Sequence, residues 1–198
     1  MLFPTALLVS SLTLATAFKV PEGQANGVYR AYYNAEGKEV HEPLTADMLV
    51  MSEPEGETTI LQAPTVAPVT PRQAGNPLLS KRRDNIYCGC GFTLNPGDCD
   101  AVVDNLKAQL GGHTWISPRM SYYSIMDRSV VAFVCNLSGR STLGISANAY
   151  ADWLGVITDE CGRYIAGSEG TPGSSALGYM RVTGDFCGDA LSSPSHHC

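Results

Sequence analysis

Seven cysteines carry the most chemical information in this 198-residue chain: Cys88, Cys90, Cys99, Cys135, Cys161, Cys187 and Cys198. All of them follow Lys81-Arg82-Arg83, and none precedes it. In an oxidising compartment such thiols pair into disulfides, which small domains need because their cores are thin. An odd count leaves one thiol over or pairing between molecules, and any six cysteines allow about 15 connectivities. Cys88-Gly89-Cys90 is one residue shorter than the redox C-x-x-C motif. On a strand its two side chains share a face, so each can pair with a different element.

Other residue types offer less. Asp98, Asp100 and Asp104 are the candidates for carboxylate catalysis. They stand at the start of a predicted helix, where capping and the macrodipole favour negative charge. A glycosidase-type pair needs positions across a cleft instead. Asp152, Asp159 and Glu160 fall largely off the apolar stripe of a second predicted helix, on a solvated face. His196-His197-Cys198 lacks the spaced ligand pairs of a structural zinc site, and a tail stapled through Cys198 is expected. His113 has no G-x-S-x-G elbow to serve and reads as a surface-loop histidine. Trp115 and Tyr122-Tyr123 are candidates for a binding patch or for core. Asn136-Leu137-Ser138 is the one glycosylation sequon. These residues lead to a non-enzymatic reading with no cofactor and no metal.

The start of the chain predicts export. Ala6 to Leu14 form a short apolar core, followed by Ala15-Thr16-Ala17, a small-x-small pattern that places cleavage after Ala17. That run is too short to span a bilayer, and no later stretch is long enough, so stable membrane insertion is not expected. After Arg83 six basic residues face eleven acids. The resulting net charge of about −5 leaves no basic stripe for phosphate contacts, which argues against nucleic acid as a partner.

Three segments follow from these signals: a signal peptide over 1–17, a disordered propeptide over 18–83, and a mature cysteine-rich domain over 84–198. The propeptide reading rests on proline-containing stretches without an apolar period, with a strand and turn at Gly27 to Gly37 as the exception. Lys81-Arg82-Arg83 sits in a polar context that suits a kexin-type processing protease.

Within 84–198, Ile86, Cys88, Cys90, Phe92 and Leu94 alternate as in a strand. Asn95-Pro96-Gly97-Asp98 predicts a helix start, Val102, Val103, Leu106 and Leu110 share one face, and Gly111-Gly112 stops it. Tyr122 to Ile125 and Val130 to Leu137 read as strands joined at Asp127-Arg128. A helix from Ser146 carries Tyr150, Trp153, Leu154, Ile157, Cys161 and Tyr164 on one stripe. Gly167 to Gly173 breaks it, and Ala176 to Val182 forms a last strand. The expected fold is α+β: a disulfide-stabilised two-layer sandwich in β-α-β-β-α-β order, with two helices on one face of an antiparallel sheet and the other face free.

Several motifs bear a likeness to a known group. Phe18-Lys19-Val20-Pro21, Gly27-Val28-Tyr29 and Gly37-Lys38-Glu39-Val40-His41 resemble propeptides of small secreted cysteine-rich proteins of ascomycete fungi. Leu94-Asn95-Pro96-Gly97-Asp98-Cys99-Asp100, Tyr122-Tyr123-Ser124-Ile125, Val130 to Asn136 and Cys161 to Gly167 resemble that group's mature motifs. Cys88-Gly89-Cys90, Leu110 and the Cys187 to Cys198 tail depart from it. The resemblance implies a secreted, extracellular effector that binds a host protein or cell-surface component in virulence. The element order is also similar to that of fungal killer toxins, which implies an alternative: a toxin acting on competitors' membranes or channels. A hydrolase using the aspartates is a third expectation.

Overall fold

The computed structural model describes residues 18–49, 53–64, 85–182 and 184–198. Ala17 and Lys81-Arg82-Arg83, the two expected processing sites, lie outside these residues.

The most apolar strand, β7 (Val130–Asn136), is buried along its whole length and sits at the centre. Val130, Ala132 and Val134 face one core, while Val131, Phe133 and Cys135 face another. Alternation of side chains across the pleat is what lets one strand feed both. β6 (Met120–Met126) pairs with it through a turn in which Asp127 and Arg128 both have positive φ, 47° and 53°. Two such residues match the right-handed twist of a hairpin.

Two helices cover the first face. α1 (Pro96–Leu110) begins at Asn95, whose side chain accepts from the Asp98 amide at 3.1 Å, with proline in the first turn as expected. α2 (Ala147–Cys161) begins at Ser146, which accepts from the Ala149 amide at 3.1 Å. Val102, Leu106 and Leu110 of α1 pack with Tyr150, Leu154 and Ile157 of α2 in one core. The second helix ends at Cys161, so Tyr164 lies beyond it at a φ of 58° rather than on its stripe.

The remaining strands complete a seven-stranded sheet in which every pairing is antiparallel. They are β1 (Gly27–Tyr33), β2 (Glu39–Pro43), β4 (Ile86–Thr93), β9 (Ile165–Thr171) and β10 (Ser175–Arg181), in the order β2-β1-β6-β7-β10-β9-β4. A smaller sheet, ordered β3-β8-β5, joins β3 (Thr58–Ile60), β8 (Thr142–Ile145) and β5 (Thr114–Ile116). A short helix, α3 (Phe186–Asp189), closes the described elements. The protein is therefore α+β, with a large antiparallel sheet and disulfide crosslinks.

Four expectations change. The segment 18–83 is not disordered throughout: β1 and β2 extend the main sheet, β3 joins the small one, and Phe18, Val20, Tyr29, Ala31 and Leu44 are buried. Its proline-rich stretches concealed a few well-spaced apolar anchors, and edge pairing supplies the rest of its order. The second sheet face is not free. Phe18 and Val20 from the N-terminal segment meet Phe186, Cys187 and Ala190 from the C-terminal one over Tyr123, Ile125 and Phe133. The glycines from Gly167 onward do not merely break a helix: Gly167 and Gly170 belong to β9, at two positions where a side chain has no room. A Cβ at Gly167 would stand 2.6 Å from Ile157 Cγ2, and one at Gly170 would run into Leu191. Finally, β5, β8 and β9 add strands to the expected β-α-β-β-α-β order.

Candidate binding site

The cysteines resolve into three crosslinks and one free thiol. Cys88–Cys161 ties β4 to α2, Cys90–Cys198 ties β4 to the C-terminal tail, and Cys135–Cys187 ties β7 to α3. Cys88 and Cys90 thus pair with different elements, as their strand spacing predicts. Cys99, also a disulfide candidate, is free and buried on the inward face of α1. Burial first, and Asp100 second, push its thiol up to about 12.

The aspartates do not converge. Asp98 accepts a hydrogen bond from Ser129 Oγ, Asp100 accepts from the Tyr164 hydroxyl at 3.1 Å, and Asp104 pairs with Lys107 at 3.3 Å. Asp152 and Asp159 are exposed on α2. The histidine tail is occupied as well. His196 Nδ1 donates to the Ile86 carbonyl, His197 Nδ1 meets Glu160 Oε2 at 3.0 Å, and Cys198 is crosslinked. Among the described residues no group of three or more metal-ligating side chains is gathered. His113 is half-buried against Trp115, with ring centroids 4.6 Å apart, and Tyr122 and Tyr123 are core. Asn136 is 1% exposed. Its Nδ2 donates to the carbonyls of Ile116 and Ser141 at 2.9 Å each, so both amide hydrogens are used inside the fold.

A recess of about 430 Å³ lies elsewhere, on the second sheet face over β4, β9 and β10. Tyr87, Gly89, Ala166 and Met180 line it from the sheet, and Ala190, Ser192, Ser193 and Pro194 line it from the tail. That tail is held along β4. The Cys88 amide donates to the Ser195 carbonyl at 2.7 Å, Ser193 Oγ donates to the Cys88 carbonyl at 2.6 Å, and Cys90–Cys198 locks the end. Ser168 and Ser192 also donate to main-chain carbonyls, of Ala190 and Asp189, so these hydroxyls serve the wall.

What the recess presents is apolar, with a charged rim. Phe92 is 55% exposed, one of two large hydrophobic side chains so placed among the described residues. The Arg181 guanidinium lies 5.5 Å from its ring centroid and donates to the Thr93 carbonyl at 3.1 Å. Asp189 also borders the recess, its carboxyl raised by burial and then by Asp185. Volume and lining of this kind suit an aromatic or aliphatic group steered by its charge. Sequence reasoning counted Phe92 as one more strand position. Nothing in the local pattern marked it, because the recess walls come from four separate stretches of chain.

One buried carboxyl stands apart. Glu169, in the middle of β9, is buried with no partner for Oε2, and burial raises its pKa to about 7. Among the described residues no helix is long and apolar enough to cross a membrane. Compared with known proteins, the chain matches no family model, and no curated protein or solved structure matches it.

Proposed function

We propose that this chain is a secreted, effector-like binding protein that engages a protein or surface component of a host cell and carries out no turnover of its own. One observation carries the reading: an apolar recess with an exposed phenylalanine at its mouth, built on a sheet whose elements are tied by three disulfides. Exposed aromatics beside arginine are the side chains that dominate binding surfaces. A crosslinked scaffold presents them with little ordering left to be done on contact. Crosslinks of this number also suit an oxidising, extracellular setting. Export after loss of residues 1–17 and a cut behind Lys81-Arg82-Arg83 complete the reading.

Phe92 is exposed, so its replacement leaves the core intact and isolates the contact. Labelled secreted protein and a Phe92→Asp variant are applied to host cells over a concentration series. Loss of the anchor is expected to weaken binding roughly 30-fold, the effect of a hot-spot aromatic. Equal binding by the two proteins refutes the role of the recess. Mass spectrometry of the secreted product tests the processing, with Asp84 expected as the first residue of the crosslinked domain and Phe18 as that of the segment ahead of the cut.

A further inference from the structure

We infer that residues 18–64 stay bound to the crosslinked domain as a second, non-covalently held chain after the cut at Lys81-Arg82-Arg83. The inference rests on the processing reading only for the cut itself; the seats of the segment do not depend on it. No cysteine precedes Cys88, and all three disulfides lie between Cys88 and Cys198. A cut at 81–83 therefore severs the last covalent link between the two parts.

The segment is seated in three separate places. At its start, the Phe18 ring is buried between Tyr33 and Phe186, with centroids 5.3 and 6.4 Å away. Its amide donates to Asp185 Oδ1 at 2.9 Å, and its carbonyl accepts from the Phe186 amide at 3.1 Å. Next, β1 pairs with β6 in continuous register from Gly27↔Ile125 to Tyr32↔Met120. Tyr29 stacks on Tyr123 with centroids 5.5 Å apart, and His41 joins the Tyr123 hydroxyl to Glu39 through two contacts of 2.6 Å. Asn26 exchanges hydrogen bonds of 2.7 and 2.8 Å with Asp127 in the β6–β7 turn. Finally, β3 pairs in parallel with β8, and the Trp153 indole donates to the Gln62 carbonyl at 3.0 Å.

Attachment at three places makes each an intramolecular event once another has formed, so the segment leaves only when all of them open together. Departure would also be costly to the partner. It would bare the backbone donors and acceptors of β6 beside Tyr123, Ile125 and Phe186, an apolar sheet edge of the kind that drives aggregation. With the segment in place the outermost strand is β2, whose Glu39, Glu42 and Pro43 make a charged, proline-ended edge. Such an edge discourages further strand pairing. A retained N-terminal chain protects the sheet permanently, and a partner meets β2 rather than β6.

The test uses the whole secreted chain with its disulfides formed. It is cut in vitro with a kexin-type protease, or, where the natural cluster resists, with a site-specific protease whose recognition sequence replaces residues 81–83. Denaturing mass spectrometry then reports two polypeptides. Native mass spectrometry and gel filtration are expected to show one particle of their summed mass, with the β6 amides as protected from hydrogen exchange as before the cut. A native particle containing only the C-terminal piece, or loss of protection along β6, overturns the inference. If protein secreted by its own host proves uncut, the processing reading fails, while the engineered cut still decides retention.

Discussion

Phe18 and Asp185 meet across the second sheet face although 167 positions separate them: the Phe18 amide donates to Asp185 Oδ1 at 2.9 Å. The same carboxylate oxygen accepts from the amides of Cys187 and Gly188 and so caps α3. Removal of residues 1–17 would turn the Phe18 donor into an α-ammonium next to Asp185. A charge-assisted hydrogen bond then replaces a neutral one.

Asp185→Asn keeps an oxygen for the helix cap but removes the charge. In protein beginning at Phe18 it is expected to lower stability by roughly 1.5–3 kcal/mol, the range for hydrogen bonds to charged groups. Acetylating the Phe18 amine should shrink that difference. Urea denaturation of the four combinations measures it, and equal losses with and without the acetyl group would show that the ammonium plays no part.

Glu169 should make stability fall as pH rises. Its folded pKa, about 7, lies above its ordinary value of 4.5, so the native state holds the proton more tightly than the unfolded one. Its contribution is complete below pH 4.5 and is lost as pH climbs through 7. The integrated loss is about 3 kcal/mol in order of magnitude. Glu169→Gln removes the ionisation and should flatten the stability profile between these limits, as read from denaturation midpoints across pH.

The Cys99 thiol is buried and pushed up to about 12, so little thiolate is present at neutral pH. A thiol-specific reagent should titrate no cysteine in the native protein and one after unfolding without reductant. Rapid labelling of the folded form would contradict the burial of Cys99, and more than one thiol after unfolding would contradict the pairing of the other six.

Replacing Cys90 and Cys198 together with serine removes the lock on the C-terminal tail. A stability loss of about 2–5 kcal/mol is expected for a native crosslink of this kind. Hydrogen exchange should localise the change to the Cys88 amide, which donates to Ser195, and binding through the recess should weaken in parallel. Unchanged protection at Cys88 would mean that the tail holds its place without sulfur.

Asn136 should carry no glycan in the folded protein. Attachment at Nδ2 would forfeit its two hydrogen bonds to Ile116 and Ser141 in a fully buried site, which is strongly destabilising. Treatment with a glycosidase should leave the mass of the secreted product unchanged.

The two long helices were legible because their boundaries are local chemistry. Asn95 and Ser146 cap, Pro96 starts a turn, Gly111 stops the first helix, and the apolar period lies between; the end of the second, at Gly162 rather than Gly167, is set by the fold. β6 and β7 were legible from apolar runs flanking the turn at Asp127-Arg128, and β10 from the run Ala176 to Val182. β9 was not, since a glycine-rich strand is dictated by the close approach of Ile157 and Leu191. Nothing in the sequence marks Phe18 and Val20 as core, because isolated apolar residues have no period. The candidate site was hidden for a related reason: no window of sequence contains both Phe92 and the tail that walls its recess.

By itself the order of residues determined the helices, the central hairpin, the odd thiol count and the division of cysteine-free from cysteine-rich chain. These depend on neighbours a few positions apart, or on counting. Tertiary structure alone decided that Cys99 stays unpaired, that Asn136 is buried, and that the N-terminal segment lies at the sheet edge over Tyr123. Each of those outcomes depends on which surfaces, far apart along the chain, exclude water from one another.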